Sequence, residues 1–478
     1  MNKIIYNDFA PLADQNAVVP AAGSSDCQSG GELLNEEKRN ILNFASFEGQ
    51  GIDLTDSALS FAENGDNLGF VSSAISGGSR KLSPAVELII ELSGGVYSAP
   101  GITFQFWQHY CSDVTVKWLN NSELLSEKTF YPTSLDFYGE NAVDGFNKVI
   151  IDFKETETAF QFVKLAGIDL GQTIEITDFY SDIEIYTEIS PDCSDVPAAT
   201  CDFTAEIPDF SPERAQALYV YRNDKLYGKF IVDNVTSSGK DIFNFECSDD
   251  NTRLDGSLFP ELSQGSCTAA ELAEKIKSAS NITIDTSSFG PMSLTGFIEA
   301  DKTSRLAAAM LSFGTGCFLT GYGSKSLRLI KPTNKRQTVI SSDRILGYAE
   351  YKKNSAYSKI IICSFSDSFN NMTAQREYSN AAQKANDING EKIYNQYSLI
   401  SDIDGRLAEL KESGFEFNEV NARIELEDEK PGDILSIETP YNGVITGIIK
   451  SMQINIGHKV TAEITLIERG YAANGGEA

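Results

Sequence analysis

Six short segments between residues 87 and 190, ELIIELSG, ITFQFWQHY, VTVKWLN, KVIIDFKE, FQFVKLAGIDLG and IEIYTEIS, place apolar residues at every second position. Gly, Asn, Asp, Ser and Pro separate them, and no amphipathic helical pattern intervenes. A period of two is the spacing of a strand that buries one face. Many short strands with turn signals every ten or so residues predict a β-sandwich of jelly-roll type over 46–192.

The chain has 478 residues, too many for one core. Apolar residues make up 41%, with 28 Phe and 19 Tyr, enough to fill several packed interiors. Lys and Arg total 39 against 68 Asp and Glu, a formal net charge of -29. That balance repels phosphate backbones and anionic membrane surfaces, so specific nucleic-acid binding is not expected. The opening MNKIIYNDFAPLADQN lacks the apolar run of a secretory signal, and no stretch approaches a membrane span.

Residues 1–45 show little periodicity and read as an N-terminal arm that settles on something else. ISPDCSDVPAATC, 189–201, marks a boundary. Strands resume over 198–255, where Arg222-Asn223-Asp224 turns one pair and Ser237-Ser238-Gly239-Lys240 the next. Residues 256–332 then read as a small α/β insertion in the order helix, strand, strand, helix, strand, strand. Leu272, Ile276 and Ala279 have helical spacing, and Thr268 with Glu271 forms a capping box. Asp301 is the expected cap of the second helix and Gly314 its expected end. Residues 333–424 read as a second barrel-like domain with one helix, LISDIDGRLAELKESG. The strands of 425–478 are expected to return to the 198–255 meander and close a barrel. The expected fold is mainly β, α+β overall.

Chemistry is sparse. The chain has two histidines. Trp107, His109 and Cys111 alternate along one strand, and a Cys-His nucleophile there would need a third orienting group in a cleft. A solvated or hydrogen-bonded His109 is the expected alternative, and His458 follows a turn glycine. DIDGR, 402–406, lacks the carboxylates of a calcium loop and fits a helix start. Tyr322 in LTGYGSK lies in a turn, and Glu425, Glu427, Asp428 and Glu429 read as a solvated charge run. No catalytic residue, metal ligand or cofactor is expected. Among eight scattered cysteines, Cys193 and Cys201 are the one pair close enough in sequence to suggest a disulfide. Trp107, Tyr110, Trp118 and Tyr131 are candidate glycan contacts, since aromatics exposed on a sandwich stack on sugar rings. Core tryptophans are the alternative.

The order of segments resembles a known family. YRNDKLYGKFIVDNVTSSGKDIFNFECSDDNTRLDG is similar to the first barrel of baseplate hub proteins of contractile phage tails and related injection particles. TAAELAEKI and TSRLAAAMLSFGTGCFLTGYGSKSLRLIKP resemble the hubs' insertion, and GDILSIETPYNGVITGIIKSMQINIGHKVTAEITLIE resembles their returning strands. The likeness covers 198–478, and the sandwich is similar to galactose-binding or carbohydrate-binding folds.

The resemblance implies a non-enzymatic virion protein of the tail baseplate, assembled in the host cytoplasm as a homotrimer. Its implied partners are the tail tube, the spike or tip, the tape-measure protein and other baseplate subunits. A carbohydrate-binding adhesin of the tail tip is the alternative. Many such hubs carry a C-terminal cell-wall hydrolase, and nothing of that kind follows the last predicted strand.

Overall fold

The computed structural model describes residues 1–10, 13–18, 33–34, 45–47, 59–61, 69–287, 292–300, 302–331, 337–354, 357–365, 372–379, 391–394, 402–412, 418–440 and 442–468. The fold is mainly β, with 12 residues in each of its longest described helices, Ala269–Ser280 and Ser304–Thr315. The chain forms two compact units, Tyr6–Ile174 and Met1–Ile5 with Glu175–Ala478.

The first unit is a sandwich of two antiparallel sheets. One runs in the order Asp136–Phe146, Tyr97–Phe106, Phe162–Asp169, Phe70–Ile75. The other runs Ala17–Val18, Lys81–Leu92, Lys148–Thr156, Cys111–Asn120, Glu123–Phe130. The alternation in three of the quoted segments lines up across three strands. Ile90, Val149 and Trp118 form one row, Leu88, Ile151 and Val116 the next, and Val86, Phe153 and Val114 the third. Every one of these side chains is fully buried. Removing each from water contributes roughly 1.5–3 kcal/mol, and a one-residue slip would turn all of them to the other face. From the opposing sheet, Phe104 and Phe106 both point inward and stack at 5.7 Å, leaving Trp107 to the other side.

In the second unit one long sheet dominates. After Asn2–Phe9 its order runs Ala217–Arg222, Lys225–Gly239, Ile242–Ser248, Thr200–Glu206, Ile183–Glu188, Gly443–Ile456, Val460–Glu468, Glu419–Glu425, Glu350–Lys352. The expected arm contributes to it, since Asn223 N donates to Met1 O at 3.1 Å. Ile183–Glu188 belongs to this sheet, although its position before the 189–201 break had assigned it to the sandwich. Alternation identifies a strand without identifying its sheet.

By strand pairing the returning strands reach the meander through intermediate strands, which corrects the expected pairing, while Arg222 of the meander donates directly to the Gly457 and His458 carbonyls at 2.6 and 2.8 Å. Gly443–Ile456 divides one edge between two partners: 443–448 pair with Ile434–Thr439, and 451–456 pair with Ile183–Glu188. Ile183–Glu188 and Thr200–Glu206 then bridge to the meander. Among the described residues the strand-pairing path is open, so no ring of paired strands closes.

The first hairpin has a two-residue loop, with φ of 46° at Asn223 and 62° at Asp224. Both values are left-handed, as a type I′ turn requires, and Asn and Asp tolerate them. The second turn falls at Lys240-Asp241, later than expected, because the strand continues through Gly239 and Asp241 takes φ 61°.

The insertion holds the predicted helices and strands, plus a strand Leu262–Thr268 paired with Ser293–Ile298. The capping box at Thr268 and Glu271 is present. Thr303 caps the second helix, while Asp301 lies outside the described residues. That helix passes through Gly314 and stops at Gly316, whose φ of 66° suits a residue without Cβ.

The described residues of 333–424 do not form a barrel of their own. Gln337–Val339 pairs with Ile434–Thr439 and Glu350–Lys352 with Glu419–Glu425, extending the long sheet. Lys359–Phe365, Met372–Ser379 and Glu391–Tyr394 form a small sheet of their own. Ile360, Ile362, Tyr394 and Leu410 join one core with the insertion helices. The apolar faces of a short sheet and a helix need a covering surface, and the insertion supplies it.

Candidate functional site

The four candidate glycan residues lie on the sandwich in different environments. Trp118 is fully buried and packs edge-on to Phe130 at 6.3 Å, so it offers no face to a sugar. The pattern that suggested a platform is the inward register of VTVKWLN. Tyr110 is half-buried and packed against the core, and Trp107 is half-buried with Lys164 Nζ over its ring at 5.0 Å. Tyr131 is 66% exposed.

Cys111 sits in the sandwich core, where burial pushes its thiol up and away from the thiolate form. His109 Nδ1 lies 3.9 Å from Glu157 Oε2. Cys193 and Cys201 are both free and buried. Cys201 instead lies directly across from Cys247, also a free thiol. Among the described residues no group of three His, Cys, Asp or Glu is placed to hold a metal ion.

The acidic run 425–429 is internally paired rather than simply solvated. Arg344 donates to Glu429 Oε1 at 2.7 Å and to the Glu425 carbonyl at 2.8 Å, and its Nη1 is 3.2 Å from Glu427. Lys225 reaches Asp428 at 3.2 Å, and Lys459 reaches Glu425 at 2.9 Å. Glu429 is buried, so its ion pair is the one that holds the turn. The Asp402 carboxylate accepts from Gly405 N at 2.8 Å, placing DIDGR at a helix start.

Two buried polar constellations escaped sequence reasoning. The first ties the 189–196 break to the segment far downstream. Tyr394 Oη donates to Asp192 Oδ2 at 2.8 Å, and Arg406 Nη2 donates to the Asp192 carbonyl at 2.6 Å. Arg406 also bonds Glu409 at 2.8 Å and lies over the Phe313 ring at 4.8 Å, while Phe313 stacks on Tyr394 at 5.0 Å. Burial alone would raise the Asp192 carboxyl. Hydrogen bonds from Ser194, Ser190 and Tyr394, with the Lys392 charge, outweigh it and hold the group below the ordinary range. Such a group stabilises the fold above its unfolded value and loses that contribution as pH falls through the folded one. Tyr394→Phe is therefore expected to cost about 1–3 kcal/mol and to move acid unfolding toward higher pH. Urea titrations at neutral and acid pH check both effects.

The second constellation is a hollow where the hairpin 318–330 meets the meander. Ile185, Thr187, Tyr227, Lys229, Asp249, Gly321 and Tyr322 are among its lining residues, and it has room for about one water. Gly323 N donates to Tyr227 O at 2.8 Å, Tyr227 meets Tyr322 edge-on at 6.1 Å, and Lys325 lies over Tyr219 at 5.6 Å. Asp249 is buried, its backbone N donates to Ala199 O at 2.9 Å, and its carboxylate accepts from Asn251 N at 3.1 Å. The buried Tyr322 hydroxyl has no hydrogen-bond partner. Two glycines flanking a tyrosine were the available signal, and Gly323 takes the left-handed φ of 65° that the turn needs. The arrangement packs and positions; it does not present a nucleophile with a base.

In structure, the chain is similar to the tail protein from Neisseria meningitidis MC58, with 13% identity and TM-score 0.46 over 62% of this chain and 94% of that one. It is similar to prophage tail protein gp18 from Listeria monocytogenes EGD-e, with 15% identity and TM-score 0.44 over 63% and 92% of the two chains. It is also similar to a chain of the phage P2 baseplate in its activated conformation with Ca, with 9% identity and TM-score 0.30 over 66% and 92%. No family model matches the chain, and no curated protein matches it.

Proposed function

We propose that the chain is a structural, non-enzymatic subunit of a phage or phage-like tail, a baseplate hub that connects tail tube to spike as a homotrimer. The observation that carries this reading is the path of the long sheet. Its meander is followed by the α/β insertion, and the chain then returns through Gly443–Ile456, whose divided edge joins two sets of strands. That is the segment order of the family the sequence resembles.

In this reading the partners are the tube, spike and tape-measure proteins, and the acidic surface lets DNA pass without adsorbing. Mass measurement of the purified chain together with images of assembled particles tests it. A threefold ring at the junction of tube and spike is expected. A stable monomer absent from the particles would sink the proposal.

A second reading, an adhesin acting through the sandwich, is supported by the exposed Tyr131 ring. Its test is a glycan array with Trp107→Ala and Tyr131→Ala. Sugar binding that disappears in these variants while the fold persists favours the adhesin; Trp118 is unsuitable because its loss would empty the core.

A further inference from the structure

We propose that the seating of the 318–330 hairpin on the meander is controlled by a single proton on Asp249. Asp249 lines a hollow closed on one side by Tyr227, Gly228, Lys229 and Phe230 of the meander and on the other by Gly321 and Tyr322 of the hairpin. A Cβ built on Gly321 would lie 3.8 Å from Asp249 Oδ2, so the hairpin backbone rests beside the carboxyl. Tyr322 lines the same hollow, and among the described residues its buried hydroxyl has no hydrogen-bond partner. A neutral carboxyl is compatible with this enclosure, whereas a charged one is a buried anion that has the Asn251 N–H as a partner but no salt bridge among the described residues.

The surrounding charges bear this out. Asp250, on the same short helix, is paired with Lys229 at 3.3 Å and repels the ionised form. Arg305, from the second insertion helix, favours the ionised form, but it is engaged with Asp255 at 2.7 Å. From the hairpin come Tyr322 and Arg328, whose Nη2 donates to the Tyr322 carbonyl at 3.0 Å. Tyr227 is the titratable meander group beside Lys229, and burial raises both tyrosines. Asp428, Glu429 and Asp433 add negative charge near Tyr322. Burial, opposed by hydrogen bonds from the backbone, pushes the Asp249 carboxyl up to about 8.

The sign follows from linkage. The seated state holds the proton up to about pH 8, whereas the unseated state releases it above its ordinary value of 3.8. Stability of the seated hairpin is fully present below that ordinary value and is lost as pH rises toward the folded one. Within that window the unseated fraction rises about tenfold per pH unit, and above it the fraction levels off.

Hydrogen exchange of the hairpin amides on the full chain tests this, with Gly323 N as the reporter. Rates are corrected for intrinsic exchange at each pH. Protection is expected to fall by roughly 100-fold between pH 5 and pH 7 in the wild type. In Asp249→Asn, which retains a capping side chain, it should be independent of pH. Tyr322→Phe keeps the carboxyl and should keep the wild-type slope. A flat wild-type profile, the same slope in Asp249→Asn, or a slope lost in Tyr322→Phe would each overturn the proposal.

Discussion

Arg406→Ala is expected to destabilise the second unit by about 1.5–3 kcal/mol, the size of the loss when a charged hydrogen bond to a buried acceptor is removed. Three effects act together. Asp192 loses the donor on its carbonyl, Glu409 loses its 2.8 Å partner, and the Phe313 ring loses the guanidinium stacked at 4.8 Å. The vacated volume lies inside the core shared by the insertion helices and the small sheet. Arg406→Lys should recover only part of the loss, because a lysine ammonium cannot reproduce the planar fork that bonds Asp192 and Glu409 at once. Urea unfolding measures the loss, and hydrogen exchange over 189–196 and 403–412 locates it. A change under about 1 kcal/mol would show that the network is merely tolerated.

Phe153→Ala should cost the sandwich about 3–5 kcal/mol. Its ring is fully buried and meets Phe70 at 6.4 Å, Phe104 at 6.1 Å and Phe106 at 6.5 Å, so it joins the aromatic faces of both sheets. Its three neighbours come from two strands with hydrogen-bonded backbones, Tyr97–Phe106 and Phe70–Ile75, which limits how far the site can collapse around a cavity. Phe153→Leu keeps much of the volume and should cost clearly less. Thermal and urea unfolding of both variants separates cavity from shape. Equal losses would mean that ring contacts, not volume, set the cost.

The two substitutions differ in how legible their sites were. Phe153 lies in KVIIDFKE, where alternation alone assigns it to the buried face, and the register with Val86 and Val114 follows that assignment. Arg406 lies in DIDGR, which reads as a helix start and nothing more. Its partner Asp192 is 214 residues away, in a segment that reads as a domain boundary. No local pattern announces such a pairing, because it depends on which loops the fold brings together. Asp249 is similar: three acidic-looking residues, Asp249, Asp250 and Asp255, are alike in sequence, yet only Asp249 is sealed under the hairpin.

Period-two alternation, turn residues and capping signals were sufficient, by themselves, for a mainly β chain with two insertion helices, because each depends on near neighbours along the backbone. The glycine that ends the second helix, the sheet that owns Ile183–Glu188 and the burial of Trp118 were decided by tertiary structure. Each is a choice between alternatives that are locally equivalent, and only the apolar area and hydrogen bonds gained at long range separate them.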